Sequence, residues 1–418
     1  MSTPKRVAQS FAADFLGRMG FVELDDGRFL AVAKGLMGFV SSDGGRTWGN
    51  RHDLTTQTGS TLISTQNGSV IRLASGRIAI QYGRLEKVGT QTTTLLFCAT
   101  SDDEGGTWSR EHRINHTGDG WPWFDVMIQT RSGRLILPVR STYAGRRIEK
   151  DEGEAKGTVK GHPVKVEGHA HFPEIDIAYI YYSDDEGRTW GRSENEVLGW
   201  PDNGRIGAYA TDEPSVAQTG DGRLLMFARS TLGRIIESWS DDDGVSWSRG
   251  LPNGLCNSYS PARLRRIPTT GDLQCVWNQV TPDEILAGYR RSRLSSAISA
   301  DGGQTWQHFK TLDCADPLDK TPRQEPDPRI RFVVAAQDCG ELPANYCMYR
   351  YPNVRFIGEM VYISYDRESF VRPGNPRYRN VLRAMPIEQL YDDRQPDISL
   401  PNDAPESTPP GAAGDIES

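Results

Sequence analysis

Cysteine, histidine and long apolar runs are all scarce in this 418-residue chain, and each scarcity excludes a class of protein. Six cysteines (Cys98, Cys256, Cys275, Cys314, Cys339 and Cys347) are scattered without a C-x-x-C pair. That is too sparse for a disulfide scaffold or a zinc ribbon, so reduced thiols are expected. The longest apolar runs, residues 29–33 and 332–336, fall far short of the roughly 20 residues that cross a bilayer as a helix, and no membrane partner is expected. Positive charge is also in deficit: 48 Lys and Arg stand against 55 Asp and Glu, a net charge of -7. A nucleic-acid binder usually carries a basic stripe, and the whole-chain charge gives no sign of one. The opening residues, MSTPKRVAQSFAADFLGRMG, hold no continuous apolar stretch of the kind a secretory leader needs, so a cytoplasmic location is expected.

What the chain has in abundance is repetition. The phrase S-x-D-x-G-x-[T/S]-W occurs five times, as SSDGGRTW (41–48), SDDEGGTW (101–108), SDDEGRTW (183–190), SDDDGVSW (240–247) and SADGGQTW (299–306). Each follows a mainly apolar or alternating stretch and reads as a strand entering a tight turn. Asp bonds nearby backbone N–H groups there, Gly supplies positive φ and Trp packs over the turn. A second phrase, strand–Gly turn–strand, occurs six times, with turn glycines Gly27, Gly76, Gly133, Gly222, Gly271 and Gly358. Six such hairpins, each extended by further strands, predict an all-β chain: a six-bladed β-propeller of four-stranded antiparallel blades, whose circular closure protects the strand edges. One domain over residues 1–390 is expected. Residues 391–418, rich in Pro, Gly and acid, are expected to be disordered.

The five Asp-boxes resemble those of the sialidase-like (BNR-repeat) propellers, and the likeness runs from end to end. In that family the boxes are structural and do not establish activity. More specific is DEPSVAQTGDGRLLMFARS, which resembles the sialidase segment where a Glu opens an inner strand and an Arg ends the next; Glu213 and Arg229 match those roles. The stretch around RRSRLSSAISADGGQTW is similar to the segment that gives another substrate Arg, best matched by Arg291. YRYPNVRF resembles the strand opening with the sialidase tyrosine, matched by Tyr351 with Tyr349 as the alternative. Two departures stand out. Arg18 lies about one register from the family's first Arg and lacks its Pro, and the blade-one loop that should carry a general-acid Asp has shrunk to Lys34-Gly35-Leu36-Met37.

Spacing points the same way without the resemblance. Nine residues before a turn glycine stand Arg18, Asn67 and Glu213, and eight before stands Asp125. Seven after stand Lys34, Arg140 and Arg229, with Arg84 one step further. One rim would then gather Arg18, Lys34, Arg84, Arg140, Arg229 and Arg291 against an acidic background, which suggests an anionic ligand. The alternative is that these cations are solvated or paired with neighbouring acids. Arginine suits the task because its planar fork pairs both oxygens of a carboxylate.

A phenol with pKa near 10 needs a base before it attacks anything at neutral pH. Sialidases are the glycosidases that use Tyr in place of a carboxylate nucleophile, so Tyr351 with Glu213 as its base is the expected pair. The alternative is that Tyr351 caps its strand and Glu213 neutralises Arg229. Asp125, beside Trp121 and Trp123, is the candidate acid, and those rings are candidate sugar platforms. An insertion at residues 143–175 carries His162, His169 and His171 without an acid or Cys to complete a metal site, and it reads as a surface loop, a lid or a proton source. No cofactor or metal is expected. The expected activity is exo-cleavage of a terminal acidic sugar, sialic acid or a related ulosonic acid. The alternatives are a uronate hydrolase or lyase on the same scaffold, and a non-catalytic propeller that binds acidic sugars.

Overall fold

The computed structural model describes residues 10–392 except 67, 89–90, 116–119, 144–154, 167–174, 206, 316–317, 322–337 and 371–376. Its framework is six four-stranded antiparallel sheets in chain order. The first runs through Gly20–Glu23, Phe29–Ala33, Met37–Ser41 and Gly49–Asp53. The second holds Ser69–Arg72, Ile78–Val88, Gln91–Ser101 and His112–Arg113, and the third Ile128–Gln129, Leu135–Tyr143, Ile175–Ser183 and Gly191–Arg192. The fourth consists of Asp212–Gln218, Leu224–Arg229, Arg234–Ser240 and Leu251–Cys256. The fifth consists of Arg263–Arg266, Leu273–Trp277, Arg293–Ser299 and Gln307–Cys314. In the sixth, Cys347–Ile357, Met360–Ser369 and Arg377–Pro386 take their fourth strand from the other end of the chain, where Phe11–Asp14 pairs antiparallel with Ala384–Val381. The chain is all-β; among the described residues the one α-helix is Pro282–Leu286, with short 3-10 turns at Pro201–Gly204 and Ile387–Leu390.

The two repeated phrases account for this regularity. Each turn glycine sits between the first and second strands of a sheet, with φ from 56° at Gly358 to 100° at Gly222. The Asp-box follows the third strand. In the third sheet, Asp185 accepts from Ser183 Oγ, Thr189 N and Thr189 Oγ1 at 2.9, 2.8 and 2.7 Å, and the Trp190 indole donates to Gly187 O at 2.9 Å. The box glycine then meets the preceding sheet. A Cβ on Gly187 would lie 2.5 Å from Cys98 Sγ, on Gly105 2.5 Å from Leu30, on Gly244 2.7 Å from Ile180, and on Gly303 2.5 Å from Leu225. Gly45 meets Leu382 of the sixth sheet in the same way, at 3.1 Å.

Six apolar clusters occupy the junctions between consecutive sheets. Trp108 lies among residues of the first and second sheets, Trp190 against the second and third, Trp247 between the third and fourth, and Trp306 against the fourth and fifth. The fifth and sixth share Val276, Leu294, Val354 and Ile363, and Trp48 packs where Phe21 and Phe29 meet Tyr362 and Leu382 of the sixth. An indole buries on the order of 150–250 Å², and at ~25 cal/mol per Å² that is roughly 4 to 6 kcal/mol of gross stabilisation per box.

Two sequence expectations change here. The part of the 143–175 insertion that is described is a hairpin, Lys156–Val159 with His162–Lys165, and Glu341–Leu342 joins it as a parallel strand. It has its own apolar core of Val159, Val164, Val166, Leu342, Tyr346 and Met348, so a plain surface loop is too simple a reading. Two residues of the stretch expected to be disordered are described and bonded to the sheets. Tyr391 Oη lies 2.7 Å from Asp272 Oδ2 and Lys310 Nζ 3.2 Å from Asp392 Oδ1, while residues 393–418 lie outside the described residues.

Candidate active site

The predicted site residues lie away from the turn glycines, Arg84, Arg140 and Tyr351 within their strands and the others at, near or beyond strand ends, and three of them share an unusual backbone. Asp125, Glu213 and Tyr351 have φ of 52°, 42° and 57°, a region that non-glycine residues seldom occupy. Two of these positions fall in register shifts, Asp212 to Ser215 against the neighbouring strand and Arg350 to Asn353 likewise. Such irregularities re-aim side chains, and strained backbone concentrates at functional sites.

The shift at Tyr351 separates two tyrosines that strict alternation would put on one face. Tyr349 is 1% exposed in the core between the fifth and sixth sheets, its ring beside Tyr365 and its hydroxyl 3.4 Å from Cys347 Sγ. Burial pushes its hydroxyl well above the ordinary value. Tyr351 turns instead towards Trp123, with 5.6 Å between ring centroids. The Arg18 guanidinium carbon stands 3.6 Å from the Tyr351 centroid and that of Arg291 5.8 Å.

From Arg291 a line of contacts leads to Glu213. Arg291 Nη2 donates to Tyr259 O at 2.8 Å, the Arg229 guanidinium stacks on the Tyr259 ring at 3.7 Å, and Arg229 Nη1 donates to Glu213 Oε2 at 2.6 Å. Arg229 also lies 3.6 Å from Asp212, its cross-strand partner. Arg140 joins this group through Asp176 at 2.6 Å and Asp212 at 2.8 Å. Burial alone would ease the proton off Arg140, but Asp212 and Asp176 hold it more firmly than usual. At the other end of the line, Arg18 Nε lies 2.7 Å from Asp366 Oδ2. Burial raises the Asp366 carboxyl above the ordinary carboxylate range, and Arg18 offsets only part of that rise.

Two predicted members of the site are engaged by other partners. Arg84 bonds Glu111 and lies over Phe97, sharing no contact with Arg18, Arg229, Arg291 or Tyr351 among the described residues. Asp125, expected as the acid, is fully buried. Asn353 Nδ2 donates to its Oδ2 at 2.6 Å, Arg355 donates to its Oδ1, and Arg263 Nη1 donates to its backbone oxygen at 3.2 Å. A carboxylate held on both oxygens by fixed donors is poorly placed to reach a glycosidic oxygen, which argues against the expected role as acid. Lys34 is exposed in the turn that closes Phe29–Ala33 onto Met37–Ser41, and no carboxylate occupies residues 34–36. Asn67, His169 and His171 lie outside the described residues, and His162 is exposed on its hairpin. Trp121 is 45% exposed and exchanges backbone hydrogen bonds with Arg140, which leaves a flat aromatic face beside the site.

Sequence reasoning missed Asp366, Asp212, Asp176 and Tyr259. Asp366 was within reach, because it stands eight residues past Gly358, the same offset that selected Arg84. Asp212 adjoins Glu213. Tyr259 carries no periodic signal.

The chain belongs to the BNR repeat-like domain family, whose model matches residues 39–363. No curated protein matches it. Among solved structures it is similar to a protein of unknown function from Dyadobacter fermentans, at 14% identity and a TM-score of 0.52 over 91% of this chain and 99% of that one. An alpha-L-arabinanase from Penicillium chrysogenum, solved with arabinobiose, is 12% identical with a TM-score of 0.51, again over 91% and 99%. The NanB sialidase from Streptococcus pneumoniae is 12% identical with a TM-score of 0.52, over 90% of this chain and 69% of that one. At these identities the likeness is one of fold.

Proposed function

We propose that the six sheets are the blades of a closed six-bladed propeller, that residues 1–390 form this one domain, and that the chain is a sialidase-type glycosidase acting on a terminal acidic sugar. The observation that carries the reading is the unbroken line of contacts Asp366–Arg18–Tyr351–Arg291–Tyr259–Arg229–Glu213. It sets a phenol between two guanidiniums and ends in a carboxylate. Closure is supported by Phe11–Asp14 completing the sixth sheet and by the contact of Gly20–Glu23 with Cys347–Ile357.

In this reading Arg18, Arg291 and Arg229 hold the sugar carboxylate, for which a guanidinium fork is the matching donor. Tyr351 attacks the anomeric carbon and its proton passes to Glu213, whose charge Arg229 balances. The glycosyl–Tyr351 bond is then hydrolysed by water. A phenol approaches an anionic sugar without the charge repulsion that a carboxylate nucleophile would meet, and the cations stabilise the charge that develops. The leaving oxygen has no assigned proton donor among the described residues, so aryl glycosides, which need none, are the first substrates to try.

The test is hydrolysis of a fluorogenic α-linked sialic acid glycoside by the wild type and by Tyr351→Phe. Turnover that falls by about a hundredfold or more on loss of the hydroxyl is the expected result. Folded wild type with no turnover would overturn the sialidase reading. The carboxylate-free turn at residues 34–36 favours a second reading, action on a uronate glycan, which such a result would bring forward.

A further inference from the structure

Beneath the Tyr351 cluster the interior carries more positive charge than its acids balance. Arg263, Arg265 and Arg355 all converge on Asp125: Arg263 and Arg265 donate to its backbone oxygen, and Arg355 to its carboxylate. Only Arg355 bonds the carboxylate itself, while Arg263 and Arg265 reach the peptide oxygen and have the Asp125 charge nearby. Arg263 is 0% and Arg265 7% exposed, and Asp125 is fully buried. Excess buried charge is costly unless a counter-charge is near.

Arg265 and Arg355 also line a cavity of about 910 Å³. Its wall includes Gly27 and Gly358, turn glycines between first and second strands, so it opens at the end of the sheets opposite Tyr351. Tyr351 and Gly358 are seven residues apart along one strand, roughly 20 Å at about 3.3 Å per residue. Arg72 and Arg131 line the same cavity, as do Glu23 and Asp25, which are both exposed. Arg72 and Arg131 are engaged, the first with Glu104 and Glu23 O, the second with Thr219 O and Gly220 O. At the floor, Arg355 Nε is buried with no hydrogen-bond partner. Burial, followed by repulsion from Arg355, brings Arg265 down to about 10. Arg355 Nε is thus a donor without an acceptor, beside a second guanidinium, Arg265, that among the described residues donates only to the peptide oxygens of Leu264 and Asp125.

We propose that this cavity is a second anion site, separate from the Tyr351 cluster, and that it takes a compact oxyanion such as phosphate or the carboxylate of a small acid against Arg265 and Arg355. The site needs no turnover to be detected, so its fate is independent of the sialidase reading. Its occupant supplies the counter-charge that Asp125 alone does not.

The test is isothermal titration with inorganic phosphate, and separately with acetate, at fixed ionic strength. Four proteins are compared: wild type, Arg18→Ala, Arg265→Met and Pro268→Glu. Pro268 lines the cavity and is exposed, so its replacement brings a tethered carboxylate to the floor arginines without touching the Asp125 network. Binding that survives Arg18→Ala and weakens by roughly tenfold or more in Pro268→Glu supports the proposal. Preference for phosphate or for acetate identifies the occupant. Binding lost in Arg18→Ala but kept in Pro268→Glu would assign the anion to the Tyr351 cluster and overturn it, as would no binding by the wild type. Arg265→Met checks the floor directly where it folds, and Pro268→Glu decides the matter where it does not.

Discussion

The guanidinium of Arg18 covers the ring of Tyr351 at 3.6 Å while its Nε holds Asp366 at 2.7 Å. One side chain from the N-terminal segment thus links the nucleophile candidate to a buried carboxylate across the sixth sheet. Stacking of this kind contributes about 0.5 to 2 kcal/mol. Arg18→Ala removes both the stack and a carboxylate donor, and it should raise KM for an acidic aryl glycoside by about tenfold or more. Arg18→Lys should recover only part of that loss, because an ammonium keeps the charge but not the planar fork. Equal KM values for wild type and both variants would remove Arg18 from the binding site.

Asp366 makes that clamp dependent on pH. Burial raises its carboxyl above the ordinary 3.8, so below the raised value it is neutral and no longer anchors Arg18. KM should therefore climb on the acid side with an inflection above 3.8. Because the folded state binds this proton more tightly than the unfolded one, the same group lowers stability as pH rises through that interval. Asp366→Asn should abolish the inflection in KM while leaving the protein folded at neutral pH. A variant profile that still carries the wild-type inflection would assign it to another group.

Much of this was legible in the sequence, for an identifiable reason. Six turn glycines and five Asp-boxes recur because each sheet solves the same two problems, turning a hairpin and packing on its predecessor, and a repeated solution leaves a repeated phrase. The sheets stand where those phrases put them. The site was less legible because it depends on departures from regularity. Tyr349 and Tyr351 belong on one face by alternation, and only the register shift with φ of 57° at Tyr351 parts them. Asp125 was taken for an acid from its aromatic neighbours, but Arg355 and Asn353, more than two hundred residues away, decide its role. Arg84 stood one step past the offset and was claimed by Glu111, an acid with no place in the repeat.

The Asp125 network yields a stability prediction. Removing one partner of a buried ion pair leaves the other uncompensated, at a cost of about 3 to 5 kcal/mol. Asp125→Ala strands the Arg355 guanidinium and the Asn353 amide while keeping the peptide oxygen that accepts from Arg263 and Arg265, and should fall within that range. Denaturant unfolding of both proteins should show a lower midpoint with an unchanged slope. The double variant Asp125→Ala/Arg355→Met should recover part of the loss, since it removes the stranded charge. A single variant as stable as wild type would mean that water or a bound anion already satisfies that arginine.

The Asp-boxes make the fold sensitive to acid, with a sign that can be worked out. In Asp43, Asp103, Asp185, Asp242 and Asp301 burial alone would raise the carboxyl, but hydrogen bonds from the Thr or Ser four residues on and from the box Ser bring each below 3.8. A carboxyl whose folded value is depressed contributes stability above its unfolded value and loses it as pH falls through the folded one. Asp185→Asn should therefore be less stable than wild type at pH 7, and that gap should close below about pH 4. Asp185→Ala, which also loses the accepted hydrogen bonds, should cost about 1 to 3 kcal/mol at neutral pH. Activity per folded molecule should be unchanged in both, because the box lies after the third strand and Tyr351 near the start of a first strand. A constant stability gap across the acid range would show that the box acts through packing of Trp190 and Gly187 rather than through the carboxylate.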